Sequence, residues 1–145
     1  MSMFCYQCQE AAKGTGCTIA GMCGKKEDTA KLQDLLVYVV KGLAVVADDA
    51  AAKGKLDNSV GLFISQALFA TITNANFDND RFMALIKEAI VKRDSLKLVI
   101  GFSSNLDCVN WIGSERNSKR KAPRSACCPS PTRTSALCTN CLSTA

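Results

Sequence analysis

Histidine is absent from the sequence, and aromatic residues make up only 6% of its 145 positions. Histidine is the commonest general base near neutral pH and the commonest nitrogen ligand for metals, so any metal site in this chain must use sulfur or oxygen. Proline occurs only three times and charged residues make up 21% of the chain. This is the composition of one ordinary globular domain and not of a low-complexity chain.

Long apolar runs are also missing from the sequence. No stretch reaches the ~20 residues that a membrane span requires. Cys5, Gln7, Cys8 and Glu10 interrupt the region where a secretory signal would place its apolar core. The sequence therefore predicts a cytoplasmic protein with no membrane partner.

Most of the net positive charge lies in the last third of the chain. Residues 1–100 carry twelve basic and eleven acidic side chains, whereas residues 101–145 carry six basic and two acidic ones. The basic run of Lys119, Arg120 and Lys121 has no interleaved aromatic residues and no groove-binding motif around it. We therefore expect a solvated segment there and no nucleic-acid partner.

Cysteine is abundant, with nine residues in two separate groups. The first group lies within nineteen residues near the start of the sequence and consists of Cys5, Cys8, Cys17 and Cys23. The second group lies beyond position 107 and consists of Cys108, Cys127, Cys128, Cys138 and Cys141. Glycines 14, 16 and 21 separate members of the first group, and glycine allows a backbone to fold round a compact object. The first group therefore predicts a metal or cluster site made of thiolates.

Four interpretations compete for the first group. A C-x2-C pair lets two adjacent thiolates face one centre while backbone amides point at the sulfurs, as in iron–sulfur and zinc sites. Structural zinc usually shows two such pairs or histidines, whereas five residues separate Cys17 from Cys23, which favours iron–sulfur. Disulfides are disfavoured by the odd number of cysteines and the missing secretory signal. A thioredoxin-like role for Cys5 and Cys8 lacks the surrounding βαβ unit.

Apolar residues recur at three- and four-residue intervals in three segments, which predicts three amphipathic helices. The first covers residues 29–52 with Asp28 as its N-cap, the second runs from about residue 60 to 74, and the third follows an N-cap at Asp78. Residues 96–100 either extend the third helix or form a short strand. The expected fold is all-α, with a cysteine-rich loop followed by an antiparallel helical bundle.

The same periods predict which side chains are buried. Leu36 and Phe63 lie on the apolar faces of the first two helices and are expected in the core. Lys53 and Lys55 lie in the polar connection between these helices and are expected to be exposed.

The pattern changes near residue 100, which divides the chain into two predicted parts. Residues 1–100 form the cysteine-containing helical domain, and residues 101–145 form an unpatterned basic tail expected to be irregular or disordered. Out-of-frame translation of a helical coding region produces such a change, so a frameshift or truncation is one hypothesis for the tail. The alternative is a divergent tail in which Cys138 and Cys141 form a second metal knuckle.

The N-terminal residues resemble a known family. The segments MFCYQCQEAAKGTGCT and GMCGK look like the opening signature of the hybrid-cluster proteins, which are also called prismane proteins or hydroxylamine reductases. The similarity covers residues 3–98 and continues through LQDLLVY, KGLA and LFATITNANFD.

The resemblance implies that Cys5, Cys8, Cys17 and Cys23 bind a [4Fe-4S] cluster, which takes electrons from a redox donor protein. In the family, hydroxylamine is reduced to ammonia at a second, oxygen-containing hybrid cluster, held by His, Glu and Cys residues of later domains. This chain has no histidine. We therefore expect an N-terminal fragment of the enzyme, without the hybrid cluster and without catalytic residues of its own. The alternative is a small non-catalytic iron–sulfur or zinc module for electron transfer or binding.

Overall fold

The computed structural model describes residues 3–73 and 75–113 of the chain. These residues form one short 3-10 turn, Ala12–Gly14, and four helices: α1 Glu27–Ala52, α2 Asn58–Ile72, α3 Asn79–Ile100 and α4 Asp107–Asn110. The predicted all-α class is confirmed, since no strand occurs in these ranges. Of the predicted tail, residues 101–113 are described and residues 114–145 are not. The predictions for the basic run and for Cys127, Cys128, Cys138 and Cys141 lie outside the described residues and stay predictions.

The start of α1 differs from the sequence-based expectation. The helix begins at Glu27, its N-cap is Lys26, and no side chain caps it. Asp28 was expected as the cap but lies in the first turn beside Glu27. Two carboxylates in the first turn favour the helix through the positive end of its dipole. Glu27 also forms an ion pair with Lys31 one turn later.

The connection between α1 and α2 agrees with the prediction. Lys53 and Lys55 are both exposed. Asp57 ends the connection as the N-cap of α2, and its carboxylate accepts a hydrogen bond from the backbone N–H of Ser59 at 3.2 Å. This bond satisfies one of the amides that a helix start leaves without a partner.

Helix α3 begins as predicted, after Asp78, and it includes the residues 96–100 that periodicity alone could not assign. The carboxylate of Asp78 accepts hydrogen bonds from the backbone N–H groups of Asp80 and Arg81 at 2.9 and 3.3 Å. The helix continues to Ile100, so residues 96–100 are helical rather than extended.

Helix α1 is the central element of the bundle, because α2, α3 and α4 all pack against it. Leu36 is fully buried and Phe63 is almost so, as predicted. The other side chains with no exposed surface in this core are Leu35, Val39, Leu43, Val46, Ala50, Ala67, Phe82, Ala89 and Val109. Among the described residues, no helix combines the length and the apolar character that crossing a bilayer requires.

Residues 101–113 also contribute to this core, although their sequence shows no helical period. Cys108 and Val109 of α4 are buried against α1. The guanidinium of Arg93, which is fully buried, donates a hydrogen bond to the carbonyl of Cys108 at 3.2 Å and pairs with Asp94. At Gly42, an added Cβ would lie only 2.1 Å from the Cys108 carbonyl oxygen. Only glycine at position 42 allows this close approach of α4 to α1.

Replacing Gly42 with alanine is therefore expected to destabilise the protein by about 1 to 3 kcal/mol, the usual cost of overpacking. The matched control is Gly61→Ala, because Gly61 also lies inside a helix but has open space around its Cα. Alanine is better than glycine in a helix interior by about 1 kcal/mol, so the control should gain stability. Urea denaturation, followed by circular dichroism, measures the free energy of unfolding of both variants. A gain in stability for both variants would contradict the tight contact at Gly42.

Candidate metal centre

The loop that precedes α1 brings two of the four N-terminal cysteines together. Cys5 and Cys17 form an isolated antiparallel β-bridge, in which each N–H donates to the other residue's carbonyl, at 3.0 and 2.9 Å. Both cysteines are buried, with 5% of their surface exposed, and they pack with Met3 and Ala30 of α1 in a small core of their own. The bridge therefore fixes these two cysteines side by side next to the start of α1.

The sulfur of Cys17 faces backbone amides. The Ala12–Gly14 turn aims the N–H of Ala12 at the Sγ atom of Cys17, 3.4 Å away, and the backbone N–H of Met22 also favours the charged form of this sulfur. These N–H groups, with that of Ala12 contributing most, lower the pKa of the Cys17 thiol below its usual value. The thiolate, which is the form that ligates metals, is thus favoured at this position.

The glycine before Cys17 makes this turn possible. Gly16 has a φ of +121°, in a region that other residues rarely adopt, and an added Cβ would lie 2.6 Å from the ring of Phe4. Glycine at this position lets the chain leave the turn and enter the bridge.

The sulfur of Cys5 lies in a more apolar environment. Burial raises the pKa of its thiol, while the backbone N–H of Gln7 and the charge of Lys25 act in the opposite direction. The ammonium of Lys25 lies 3.7 Å from this sulfur. The thiolate form of Cys5 therefore needs the nearby cation or a metal ion to balance its charge.

Cys8 and Cys23 lie less deeply in the loop, and both are half-buried. Cys23 belongs to a turn in which the N–H of Gly21 donates to the carbonyl of Lys25 at 3.0 Å. In the described part of the chain, no three Cys, Asp or Glu side chains converge closely enough to hold a metal ion. The assignment of all four cysteines as ligands therefore stays a prediction.

The donor set nevertheless suits a thiolate-bound metal or cluster. Cys5, Cys8, Cys17 and Cys23 are all free thiols, and no disulfide joins the five cysteines that the structure describes. Hydrogen bonds from N–H groups to cysteine sulfurs are the contacts that tune iron–sulfur clusters. The fifth of these cysteines, Cys108, packs in the separate core of the helical bundle and does not join this loop.

A polar network next to Cys5 was not apparent from the sequence. Gln7 accepts a hydrogen bond from the Lys25 ammonium at 2.9 Å and donates to the carboxylate of Asp34 at 2.6 Å and to the carbonyl of Ala30 at 3.3 Å. Burial raises the pKa of the Asp34 carboxyl, and the hydrogen bond from Gln7 and the charge of Lys25 oppose this rise. The network joins the loop to α1 across 23 to 27 positions of sequence, so no local motif could reveal it.

Comparison with known proteins relates this loop to one family. The sequence profile of the Prismane/CO dehydrogenase family matches residues 3–129. Hydroxylamine reductase from Desulfitobacterium hafniense (strain DSM 10664 / DCB-2) is 61% identical over 97 residues, which cover 67% of this chain and 18% of that protein. Hydroxylamine reductase from Halothermothrix orenii is 58% identical over 97 residues, with the same coverage of both chains. The protein of this name from Clostridium novyi is 58% identical over 120 residues, 78% of this chain and 22% of the relative.

The extent of these matches adds two facts. The chain spans about a fifth of the length of the curated relatives it matches. The family match also continues beyond residue 98, where the motifs visible in the sequence end, and includes the α4 segment that packs against Gly42. The similarity thus covers the cysteine loop and every described helix, and the chain belongs to the Prismane/CO dehydrogenase family.

Proposed function

We propose that this chain is the N-terminal, cluster-binding portion of a hydroxylamine reductase. In this proposal Cys5, Cys8, Cys17 and Cys23 hold a [4Fe-4S] cluster that relays electrons for the reduction of hydroxylamine to ammonia in the complete enzyme. The observation that carries the proposal is the backbone N–H of Ala12, which donates to the buried Cys17 sulfur at 3.4 Å beside the paired Cys5. Such a donor favours a thiolate before any metal is bound.

The coordination chemistry of four thiolates supports a role in electron transfer. Thiolates are soft ligands that select iron–sulfur clusters or zinc, and four of them complete the coordination of a cubane's four irons. A closed site of this kind exchanges electrons with its surroundings but offers no iron to a substrate. The chemistry at nitrogen then belongs to the parts of the relatives that this chain does not span.

The partner in this proposal is a one-electron donor protein in the cytoplasm. Phe4, Tyr6 and Met22 expose more than half of their surface beside the cysteines, and exposed aromatic and methionine side chains are typical of protein contact surfaces. The free thiols of the loop suit a reducing compartment, because disulfides form in oxidising ones.

Metal analysis of the intact protein tests the proposal directly. The 145-residue chain, purified or reconstituted without oxygen, is expected to contain iron and acid-labile sulfide in equal amounts and to show a broad visible absorption that bleaches on reduction. Zinc without sulfide would contradict the cluster and would favour a small zinc-binding module instead. Retention of neither metal by a folded, helical protein would contradict both.

The reconstituted chain is also expected to undergo reduction and reoxidation without turning over hydroxylamine. Cleavage of the N–O bond requires an open metal position and proton donors beside it, and four cysteine ligands leave no such position. An anaerobic assay that follows oxidation of a reduced dye and release of ammonia measures this. Sustained turnover that disappears in Cys5→Ser would contradict the assignment of the loop to electron relay alone.

A further inference from the structure

We propose that Lys25, held in place by Gln7 and Asp34, raises the reduction potential of the cluster by keeping a buried ammonium against the Cys5 sulfur. This inference rests on the proposed function, because it assigns a control of potential to the same cluster site. In this proposal Lys25 supplies a fixed positive charge beside the Cys5 sulfur and is not itself a ligand.

The burial of Lys25 is the first observation. Lysine is almost never fully buried unless it is paired, yet only 1% of the Lys25 surface is exposed. Its ammonium contacts the Sγ atom of Cys5 at 3.7 Å and the side-chain oxygen of Gln7 at 2.9 Å. No carboxylate among the described residues forms a direct ion pair with it. A buried cation is costly without a nearby negative charge, and the thiolate of a ligating Cys5 supplies one.

The second observation is the orientation of Gln7. Its amide nitrogen donates to the Asp34 carboxylate at 2.6 Å and to the Ala30 carbonyl at 3.3 Å. With both of these acceptors on the nitrogen side, the amide oxygen must face Lys25. The ammonium is therefore held at Cys5 by a side chain that α1 itself fixes, through Ala30 and Asp34.

The effect on potential follows from the charge balance of reduction. One electron passes from a one-electron donor to the cluster, no bond forms or breaks, and Lys25 keeps its proton. The added negative charge spreads over the cluster and its thiolates. A fixed positive charge 3.7 Å from one of these sulfurs stabilises the reduced form more than the oxidised form, because attraction grows with the charge it acts on. The half-buried Asp34 carboxylate has the opposite effect, from a greater distance.

Two substitutions, one that removes a positive charge and one that removes a negative charge, test the proposal. Lys25→Met is expected to lower the equilibrium constant for reduction at least tenfold, which is about 59 mV for a one-electron couple. Asp34→Asn is expected to shift the midpoint in the positive direction. Lys26→Met and Asp28→Asn are the matched controls, because they make the same charge changes at exposed positions of the same segment, where water and salt screen the charge. An anaerobic titration with dithionite, monitored by electron paramagnetic resonance, gives the midpoints.

Iron and sulfide are counted in every variant before its potential is measured. A wild-type protein without a cluster contradicts the proposed function, whereas a loaded Lys25→Met with the midpoint of Lys26→Met overturns only the role of Lys25. If Lys25→Met does not load, Lys25→Arg and Asp34→Asn decide the question. A wild-type midpoint in the arginine variant together with a positive shift in Asp34→Asn supports the proposal. Shifts of the same sign in Lys25→Arg and Asp34→Asn, which a merely structural disturbance would produce, overturn it.

Discussion

Replacement of Cys17 with serine is expected to abolish assembly of the cluster. A hard hydroxyl then takes the place of a soft thiolate, and the N–H of Ala12, which now donates to that sulfur, faces a neutral hydroxyl oxygen instead of a thiolate. The same substitution at Cys5, Cys8 or Cys23 is expected to prevent or degrade assembly for the first of these reasons. Anaerobic reconstitution, followed by counting of iron and sulfide per chain, measures the loss.

The control for this prediction comes from the second cysteine group. Cys127→Ser and Cys141→Ser remove a thiol and leave the sequence of the N-terminal loop unchanged, so both variants should load iron as the wild type does. Equal loss from the N-terminal and the C-terminal variants would refute the ligand assignment. Circular dichroism of each variant separates loss of the cluster from loss of the helical bundle.

Truncation of Leu36 to alanine is expected to have the largest effect on stability. The side chain is fully buried in the middle of α1, where α2, α3 and α4 all pack. Removing a buried leucine side chain costs about 2 to 5 kcal/mol, because the transfer energy is lost and a cavity remains. Such a loss is a large part of the free energy of unfolding of a typical domain, which is about 5 to 15 kcal/mol. Thermal denaturation followed at the helical signal measures it.

Lys55→Ala is the comparison for this substitution. Lys55 is exposed in the connection between α1 and α2, and surface changes of this kind usually stay within about 0.5 kcal/mol. Similar losses of stability in the two variants would contradict the helical register that places Leu36 in the core.

The helices could be predicted because their signals are local. The apolar period of α1, α2 and α3 repeats over several turns, and periodicity over such lengths reflects the one face that a helix buries. Asp78 and Asp28 show that the apolar period does not fix the residue at which a helix begins. Both are acidic residues before an apolar period, but Asp78 caps α3, whereas α1 begins earlier at Glu27.

The contacts that depend on tertiary structure could not be predicted. The α4 segment has no helical period because it is only four residues long, and its place is set by the missing side chain of Gly42 and by the buried Arg93. The identity of the candidate ligands could be read from the cysteine spacing, and their assignment stays a prediction. The surroundings of these cysteines could not be read in the same way, because Lys25 and Asp34 lie 18 and 27 positions from Gln7 in the sequence and meet it only in the folded chain.

The Cys5–Cys17 bridge has a consequence for the order in which the site is built. Loop closure in an unfolded chain costs conformational entropy. If a metal bound four cysteines of an unfolded chain, its binding energy would have to offset all of this entropy. Here the backbone bridge closes the loop between residues 5 and 17, and the Gln7 contacts attach it to α1. In the proposed function, folding of the polypeptide would therefore come first and leave only the half-buried Cys8 and Cys23 to be brought to the cluster. Iron would then bind to a folded apoprotein rather than to a disordered one.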